Sequence, residues 1–142
     1  MTDTYSFTDI SCVLSHPAVG QLICNGEGLG DIAISYANDM TAHLLSNDGV
    51  VTPTKIEASN GTITINTSQM GEIHRYLSKL ANYIRVSRAS EWARLTITIK
   101  AQNLQTTCKG VSPQKIPDET YGQQAQNVAW ALMAAKINRE PI

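Results

Sequence analysis

The chain has 142 residues, which is enough for one domain with a single hydrophobic core. Only 16% of its residues are charged, and eleven Lys and Arg against twelve Asp and Glu give a formal net charge of −1. This balance lacks the basic excess with which ordinary nucleic-acid-binding proteins hold phosphates, and the many hydroxyl and amide side chains favour an assembly protein over a free monomer.

Neither membrane insertion nor secretion is predicted. The longest apolar runs, such as Val128–Ala135, are much too short to span a bilayer. The opening residues MTDTYSFTD contain neither the basic segment nor the apolar segment of a secretory signal. We therefore expect a chain that is made and folded in a cytoplasm.

Alternating apolar and polar residues predict short strands throughout the first half of the chain. The first strand runs from Tyr5 to Leu14, with a one-residue slip at Thr8–Asp9 that indicates a β-bulge. Turn residues separate the next predicted strands, which are Gln21–Asn25, Ile32–Tyr36, Thr41–Ser46, Val50–Glu57 and Thr62–Asn66.

Two of the turns carry strong hairpin signals. Asn47-Asp48-Gly49 predicts a tight hairpin, because Asp-Gly supplies the positive φ angles that such a turn needs. Asn60-Gly61 predicts a second hairpin for the same reason. Pro53 has no backbone N–H to donate, so the strand between the two turns is predicted to lie at a sheet edge or where pairing is interrupted.

One amphipathic helix is predicted in the middle of the chain, starting from Thr67 or Ser68 as the N-cap. Its apolar stripe consists of Ile73, Leu77, Leu80, Ala81 and Ile84. The opposite, polar face carries Glu72, Arg75, Lys79 and Asn82.

The second half returns to strands, at Leu95–Ile99 and Leu104–Val111, before an irregular connector bounded by Pro113 and Pro117. The last segment, Gln126–Asn138, is ambiguous, because its alanines favour a helix while its larger apolar residues alternate. These patterns predict a mainly antiparallel β fold, a roll or small barrel with one flanking amphipathic helix.

No catalytic constellation emerges from the sequence. The loop Gly26–Gly30 opens onto a strand and lacks the Lys-Ser/Thr of a phosphate-binding loop, so a turn is the favoured interpretation. His16, His43 and His74 lie on a predicted loop, strand and helix, without the spacing of metal ligands. We therefore predict no enzymatic activity, no cofactor and no metal.

The cysteines and tryptophans are also read as structural residues. Cys12, Cys24 and Cys108 are widely spaced, which favours buried small side chains, with bridging between neighbouring subunits as the alternative. Trp92 and Trp130 are expected to anchor a core or an interface.

Several stretches resemble the inner tail tube proteins of contractile-tailed bacteriophages, a family related to the tube proteins of type VI secretion systems and pyocins. The stretches are the opening strand Tyr5–Cys12, Arg88–Ser90 followed by Leu95–Ile99, and a closing segment from Lys115-Ile116-Pro117 through Tyr121 to Ile137. The resemblance covers nearly the whole chain and implies a single tail tube domain over residues 1–142. The implied fold is mainly β, an antiparallel β-sandwich or barrel with one flanking amphipathic helix.

The resemblance implies a structural virion protein of the phage tail, made in the host cytoplasm. Six subunits would form a ring, and stacked rings would form the hollow inner tube through which phage DNA is ejected without specific binding. Sheets would join edge to edge between subunits and line the lumen. The implied partners are further copies of the chain, the tail sheath, the baseplate and the tail terminator, and the segment Gln126–Asn138 becomes a strand.

Two surfaces follow as candidates. The hairpin tip Asn47, Asp48 and Gly49 is the candidate contact between stacked rings, and the exposed helix face of Arg75, Lys79 and Asn82 is the candidate surface for the sheath. Two alternatives remain open. One is another tail component, such as a terminator, or a secreted tube subunit of the same fold, and the other is a small ligand-binding β-module with an exposed tryptophan.

Overall fold

The computed structural model describes residues 5–6, 9–24 and 29–141, without the side chains of Cys24 and Leu29. The elements in these ranges are, in chain order, β1 (Ser11–His16), β2 (Gly20–Cys24), β3 (Leu29–Tyr36), β4 (Thr41–Leu45), β5 (Val51–Lys55), β6 (Gly61–Ser68), α1 (Glu72–Val86), a 3₁₀ turn (Ala89–Glu91), β7 (Leu95–Lys100), β8 (Leu104–Lys115) and β9 (Asn127–Pro141). Thr8 of the predicted bulge and most of the glycine loop lie outside the described residues. The first strand begins at Ser11 and not at Tyr5, since the described residues before Ser11 are not in a strand.

Seven strands form one antiparallel sheet in the order β2-β1-β7-β8-β9-β6-β3, and β4 and β5 form a separate two-stranded sheet. The mainly antiparallel β fold with one helix is thereby confirmed. In the described part of the chain, β2 and β3 end the large sheet and do not pair with each other, so a closed barrel is not found within this subunit.

The core lies between one face of the large sheet and α1. Strand β6 shows the pattern clearly, with alternate residues buried along its whole length. The predicted apolar stripe of the helix is buried and joins a single cluster with the inward side chains of the sheet. Among its fully buried members are Leu14, Ile63, Ile65, Leu77, Leu95, Ile97, Trp130 and Leu132.

The start of the helix differs from the prediction. Thr67 and Ser68 do not cap α1, because they continue β6 and pair with Val128 and Asn127 of β9. The N-cap is Gly71, in an extended conformation and without a side-chain cap. A cap contributes only about 1 kcal/mol, which the backbone ladder and the burial of Thr67 outweigh.

The alanine-rich last segment is a strand, as the resemblance implied. Strand β9 pairs with β6 on one side and β8 on the other, so its backbone hydrogen bonds are satisfied without a helix. Val128, Trp130, Leu132 and Ala134 point into the core, which the alternation requires. Burial in the centre of the sheet thus overrides the helix propensity of alanine.

Two turn predictions are wrong. Asn60-Gly61 is not a hairpin between consecutive strands, since Gly61 opens β6 and pairs with Tyr36 of β3. Strand β8 does not stop before Pro113 but continues to Lys115, with a register shift between these two residues. Such an irregularity accommodates a proline, which has no N–H for the ladder. None of the helices described is both long and apolar enough to cross a membrane.

Candidate assembly surfaces

The hairpin of β4 and β5, here called the arm (Thr41–Lys55), is built as predicted from the Asp-Gly turn. Its five residue pairs run from Thr41 opposite Lys55 to Leu45 opposite Val51. All of its residues are exposed, and Pro53 lies in a strand that has a neighbour on one side only. At about 3.4 Å per residue the paired strands reach roughly 17 Å.

The tip of the arm holds the sequence-predicted residues Asn47, Asp48 and Gly49 together in one turn. Gly49 has a φ of 85°, which a residue with a side chain rarely adopts. Ser46 Oγ and the backbone N–H of Val50 both donate hydrogen bonds to Asp48 Oδ1. The Ser46 hydrogen bond, followed by that from Val50, lowers the pKa of the Asp48 carboxyl. The tip therefore presents a fixed, ionised carboxylate.

The arm also exposes large apolar side chains. Leu44 and Leu45 are 68% and 69% exposed, and Val51, which pairs with Leu45, is 46% exposed. A two-stranded hairpin is at best marginally stable by itself in water. The exposed apolar pair Leu45 and Val51 on such a hairpin favours a contact with another molecule.

The polar face of α1 carries Arg75, Lys79 and Asn82, all exposed as predicted. Arg85 extends this face at the end of the helix. None of the ion pairs among the described residues involves Arg75, Lys79 or Arg85. The helix is about 22 Å long. Its outer face is therefore a basic stripe suited to an acidic partner.

The two end strands of the large sheet form a third surface. Strands β2 and β3 each have a partner on one side only within the described sheet. An unpaired strand edge offers backbone N–H and C=O groups to another chain. The subunit thus carries two free edges at which a sheet can be extended.

A buried polar junction joins α1 to the sheet, and the sequence patterns did not reveal it. Trp130 Nε1 donates a hydrogen bond to His74 Nδ1 at 3.0 Å. The hydrogen of the neutral imidazole must then lie on Nε2, which faces Glu119 Oε1 at 3.5 Å. Tyr121 donates its hydroxyl hydrogen to the other oxygen of Glu119, and this hydrogen bond raises the pKa of Tyr121.

The junction fastens the connector between β8 and β9 over the start of the helix. Gln69 supports it, since its side chain donates to the Thr120 carbonyl at 3.3 Å and accepts from the Gln126 N–H at 3.3 Å. A cleft of about 500 Å³ lies beside His74. Its described lining contains no serine, threonine or cysteine, and the histidine is already held by two partners. The arrangement fits a structural clamp better than a hydrolytic site.

The remaining candidates for chemistry are buried or scattered. Burial raises the pKa of the Cys108 thiol to about 11, so it is a poor nucleophile, and Cys12 is buried as well. His16 lies at the buried end of β1 and not on a loop, because it pairs with Gly20 and accepts a hydrogen bond from the Ala18 N–H. No group of three or more metal-ligating side chains occurs among the residues described.

The two tryptophans differ in exposure. Trp130 is fully buried and bound to His74, so it cannot serve as a ligand platform. Trp92 is 43% exposed and lines a small groove of about 170 Å³ with Ile84 and Ile116. The ligand-binding alternative therefore depends on one partly exposed ring.

Comparison with known proteins gives one family and a consistent fold. A family model described as "Bacteriophage PhiTE tail tube protein" matches residues 2–140. No curated protein matches the chain.

Three solved structures illustrate the likeness of fold. The chain is similar to the anti-feeding prophage tube terminating cap, with a TM-score of 0.62, 9% identity and coverage of 100% of this chain and 95% of that one. It is similar to a chain of the sheath–tube complex of an extracellular contractile injection system, with a TM-score of 0.57, 13% identity and coverage of 92% and 88%. A chain of the anti-feeding prophage baseplate gives a TM-score of 0.64, 7% identity and coverage of 99% and 97%.

Proposed function

Since the chain belongs to the Bacteriophage PhiTE tail tube protein family, we propose that it forms stacked six-membered rings that make up the hollow inner tube of a contractile tail. The observation that carries the proposal is the family match over residues 2–140. Six-fold symmetry draws support from the similar fold in a baseplate structure that was 6-fold symmetrised. The role is structural and non-enzymatic, with residues 1–142 acting as one tail tube domain.

Ring closure would use the free edges of the large sheet. An edge strand of one subunit pairs with an edge strand of the next, so that the open sheets continue around the ring. The barrel would then belong to the ring and not to the subunit. A closed ring also protects these edges from uncontrolled pairing with other chains.

The lumen would be lined by β6 and by the part of β9 that pairs with it, on the face that points away from α1. On β6 and β9 this face carries Thr62, Thr64, Ala129 and Ala131, which are small and uncharged. Such a surface offers no cations to retain phosphates, and the formal net charge of the chain is −1. Phage DNA would therefore pass through the tube without specific binding.

The arm would make the contact between stacked rings. Its complete exposure, its apolar pair Leu45 and Val51, and the fixed tip Asn47, Asp48 and Gly49 all favour a second copy as its partner. The basic stripe with Arg75, Lys79 and Asn82 would face outward and meet the sheath. A chain of similar fold occurs in a sheath–tube complex, which supports this assignment.

The protein would then be part of the virion, in the tail, after synthesis in the host cytoplasm. Its partners would be further copies of itself, the sheath, the baseplate and the tail terminator, with no role for a membrane. A second candidate is the terminator role itself, because a tube terminating cap shares the fold. The fold alone does not separate these two roles.

Negative-stain electron microscopy of the purified chain, over a range of concentrations, tests the proposal directly. We expect hollow tubes of uniform diameter, or six-membered rings in end-on views. A chain that stays monomeric at every concentration, even with purified baseplates as nuclei, would contradict the proposal.

A further inference from the structure

Two lysines stand opposite each other on the large sheet. Lys109 of β8 pairs with Lys136 of β9, and both side chains are exposed. The adjacent pair, Cys108 and Ile137, is buried in the core. Because successive side chains alternate across a strand, the two lysines share the outer face of the sheet.

A bulge in β8 lies next to Lys109. Leu95 of β7 pairs with Val111 and Ile97 pairs with Cys108, so β8 has one extra residue between these pairs. Gly110 lies there with a φ of 64°, and a Cβ at this position would lie 2.8 Å from the Cβ of Ala135. Bulges of this kind re-aim the neighbouring side chains, and here the neighbour is Lys109.

The two lysines place like charges next to each other on the sheet. Like charges directly opposite each other on neighbouring strands destabilise a sheet. None of the ion pairs in the described residues involves either lysine. Glu140 lines the same cleft as the lysines, but it accepts a hydrogen bond from Asn138 and forms none of these ion pairs.

The surroundings of the two lysines suit a carboxylate. They line a cleft of about 220 Å³ with Thr107, Asn138 and Glu140. The Thr107 hydroxyl and the Asn138 amide can donate hydrogen bonds to an anion that the ammonium groups attract. With two ammonium groups against the one carboxylate of Glu140, the cleft keeps a net positive charge and has donors for a second carboxylate from another chain.

We propose that the carboxylate of Asp48, at the arm tip of a second copy, binds between Lys109 and Lys136. This inference rests on the proposed function and identifies the receptor of the arm. Asp48 lies at the far end of an arm whose residues are all exposed, and its carboxylate is oriented by Ser46 and Val50. Three of the other acids are engaged within their own subunit, Asp31 by Asn66, Glu91 by Arg94 and Glu57 by Lys55.

A charge swap tests the contact. Three variants remove or reverse a charge of the contact: Asp48→Asn, Asp48→Lys and Lys109→Glu/Lys136→Glu. Each should raise the protein concentration needed for tube assembly by about tenfold or more. The combination D48K/K109E/K136E restores opposite charges and should restore assembly. The control Arg88→Glu/Lys115→Glu changes the net charge as much as K109E/K136E and should assemble like the unmodified chain. Circular dichroism and thermal melting identify any variant that fails to fold.

The outcomes separate this inference from the proposed function. If the unmodified chain never assembles, the proposed function fails. If it assembles and K109E/K136E assembles equally well, the lysine site is overturned. If the single reversals block assembly but the combined variant does not recover, Asp48 is not the ligand. Binding of a DNA duplex that K109E/K136E abolishes, while tubes still form, would assign the site to phosphate and overturn the proposal.

Discussion

Trp130 and His74 are 56 residues apart in sequence and meet through one buried hydrogen bond. We expect Trp130→Phe to lower the free energy of unfolding by about 2–4 kcal/mol, because it leaves a cavity and an unsatisfied acceptor on His74. Urea denaturation followed by circular dichroism measures the change.

Trp92→Phe is the matched control for this substitution. Trp92 is 43% exposed, so we expect a loss of less than about 1 kcal/mol. Equal losses in the two variants would show that the junction at His74 does not stabilise the fold.

Gly61 is required for a close approach between strands. A Cβ at this position would clash with the Ser35 carbonyl oxygen and lie 2.7 Å from Ile137 Cδ1. We expect Gly61→Ala to lower the free energy of unfolding by about 1–3 kcal/mol or more. Gly122→Ala is the control, since a Cβ there would contact nothing within 4 Å. A melting temperature of G61A equal to that of G122A would contradict this role.

The sequence predicted the role of some of these residues and not of others. The Asp-Gly turn at the arm tip could be predicted, because the positive φ angles that it needs depend only on neighbouring residues. Gly61 looked like a second hairpin residue, since Asn-Gly carries the same local signal, but its role is set by Ser35 on another strand. His74 bordered the apolar stripe of the helix, and nothing in its neighbourhood indicated that Trp130 would be its partner.

At the scale of elements, periodicity identified the helix and most strands. The apolar stripe of α1 was predicted in full because all of its residues face one sheet. The ends of helices and strands were harder to predict where one residue fitted two kinds of structure. Thr67 and Ser68 fit both a strand and a helix cap, and the pairing with β9 decided between them.

The arm gives the first prediction at this scale. Replacing Thr41–Lys55 with a short glycine-serine linker should leave the large sheet folded, because the arm forms a sheet of its own. Tube formation should be lost, since the contact between rings is removed. Electron microscopy and a thermal melt measure the two effects separately. The control is Thr52→Ser/Thr54→Ser, which keeps the arm and should form tubes. Normal tubes from the armless chain would rule out this contact.

The basic stripe of α1 gives the second prediction at the scale of elements. Arg75→Glu/Lys79→Glu should weaken co-assembly with the sheath by about tenfold or more and leave tube formation unchanged, because an acidic partner would now be repelled. Co-sedimentation of preformed tubes with sheath protein measures the binding. Glu72→Lys, on the same exposed face, should leave it unchanged or strengthen it. If R75E/K79E tubes bind sheath normally, the sheath contact lies elsewhere.

At the scale of the whole molecule, strand order was the property that the sequence predicted least well. Strand β1 lies between β2 and β7, and β9 lies between β8 and β6, so the sheet combines segments that are far apart in sequence. Periodicity indicates which face of a strand is buried but not which strand lies beside it. The family resemblance supplied the strand character of the last segment, where the balance of alanine propensity and alternation left it open.

Assembly of whole molecules distinguishes a tube subunit from a tube terminating cap, which shares this fold. A tube subunit has two complementary ring faces, so each added ring presents a new site and growth has no built-in limit. We expect mean tube length to increase with protein concentration, and sheared tubes to extend when fresh subunits are added. A terminator has one such face and should remain a single ring. Length distributions measured by electron microscopy, with and without sheared seeds, distinguish the two. Single rings at every concentration, unchanged by seeds, would assign the chain to the terminator role.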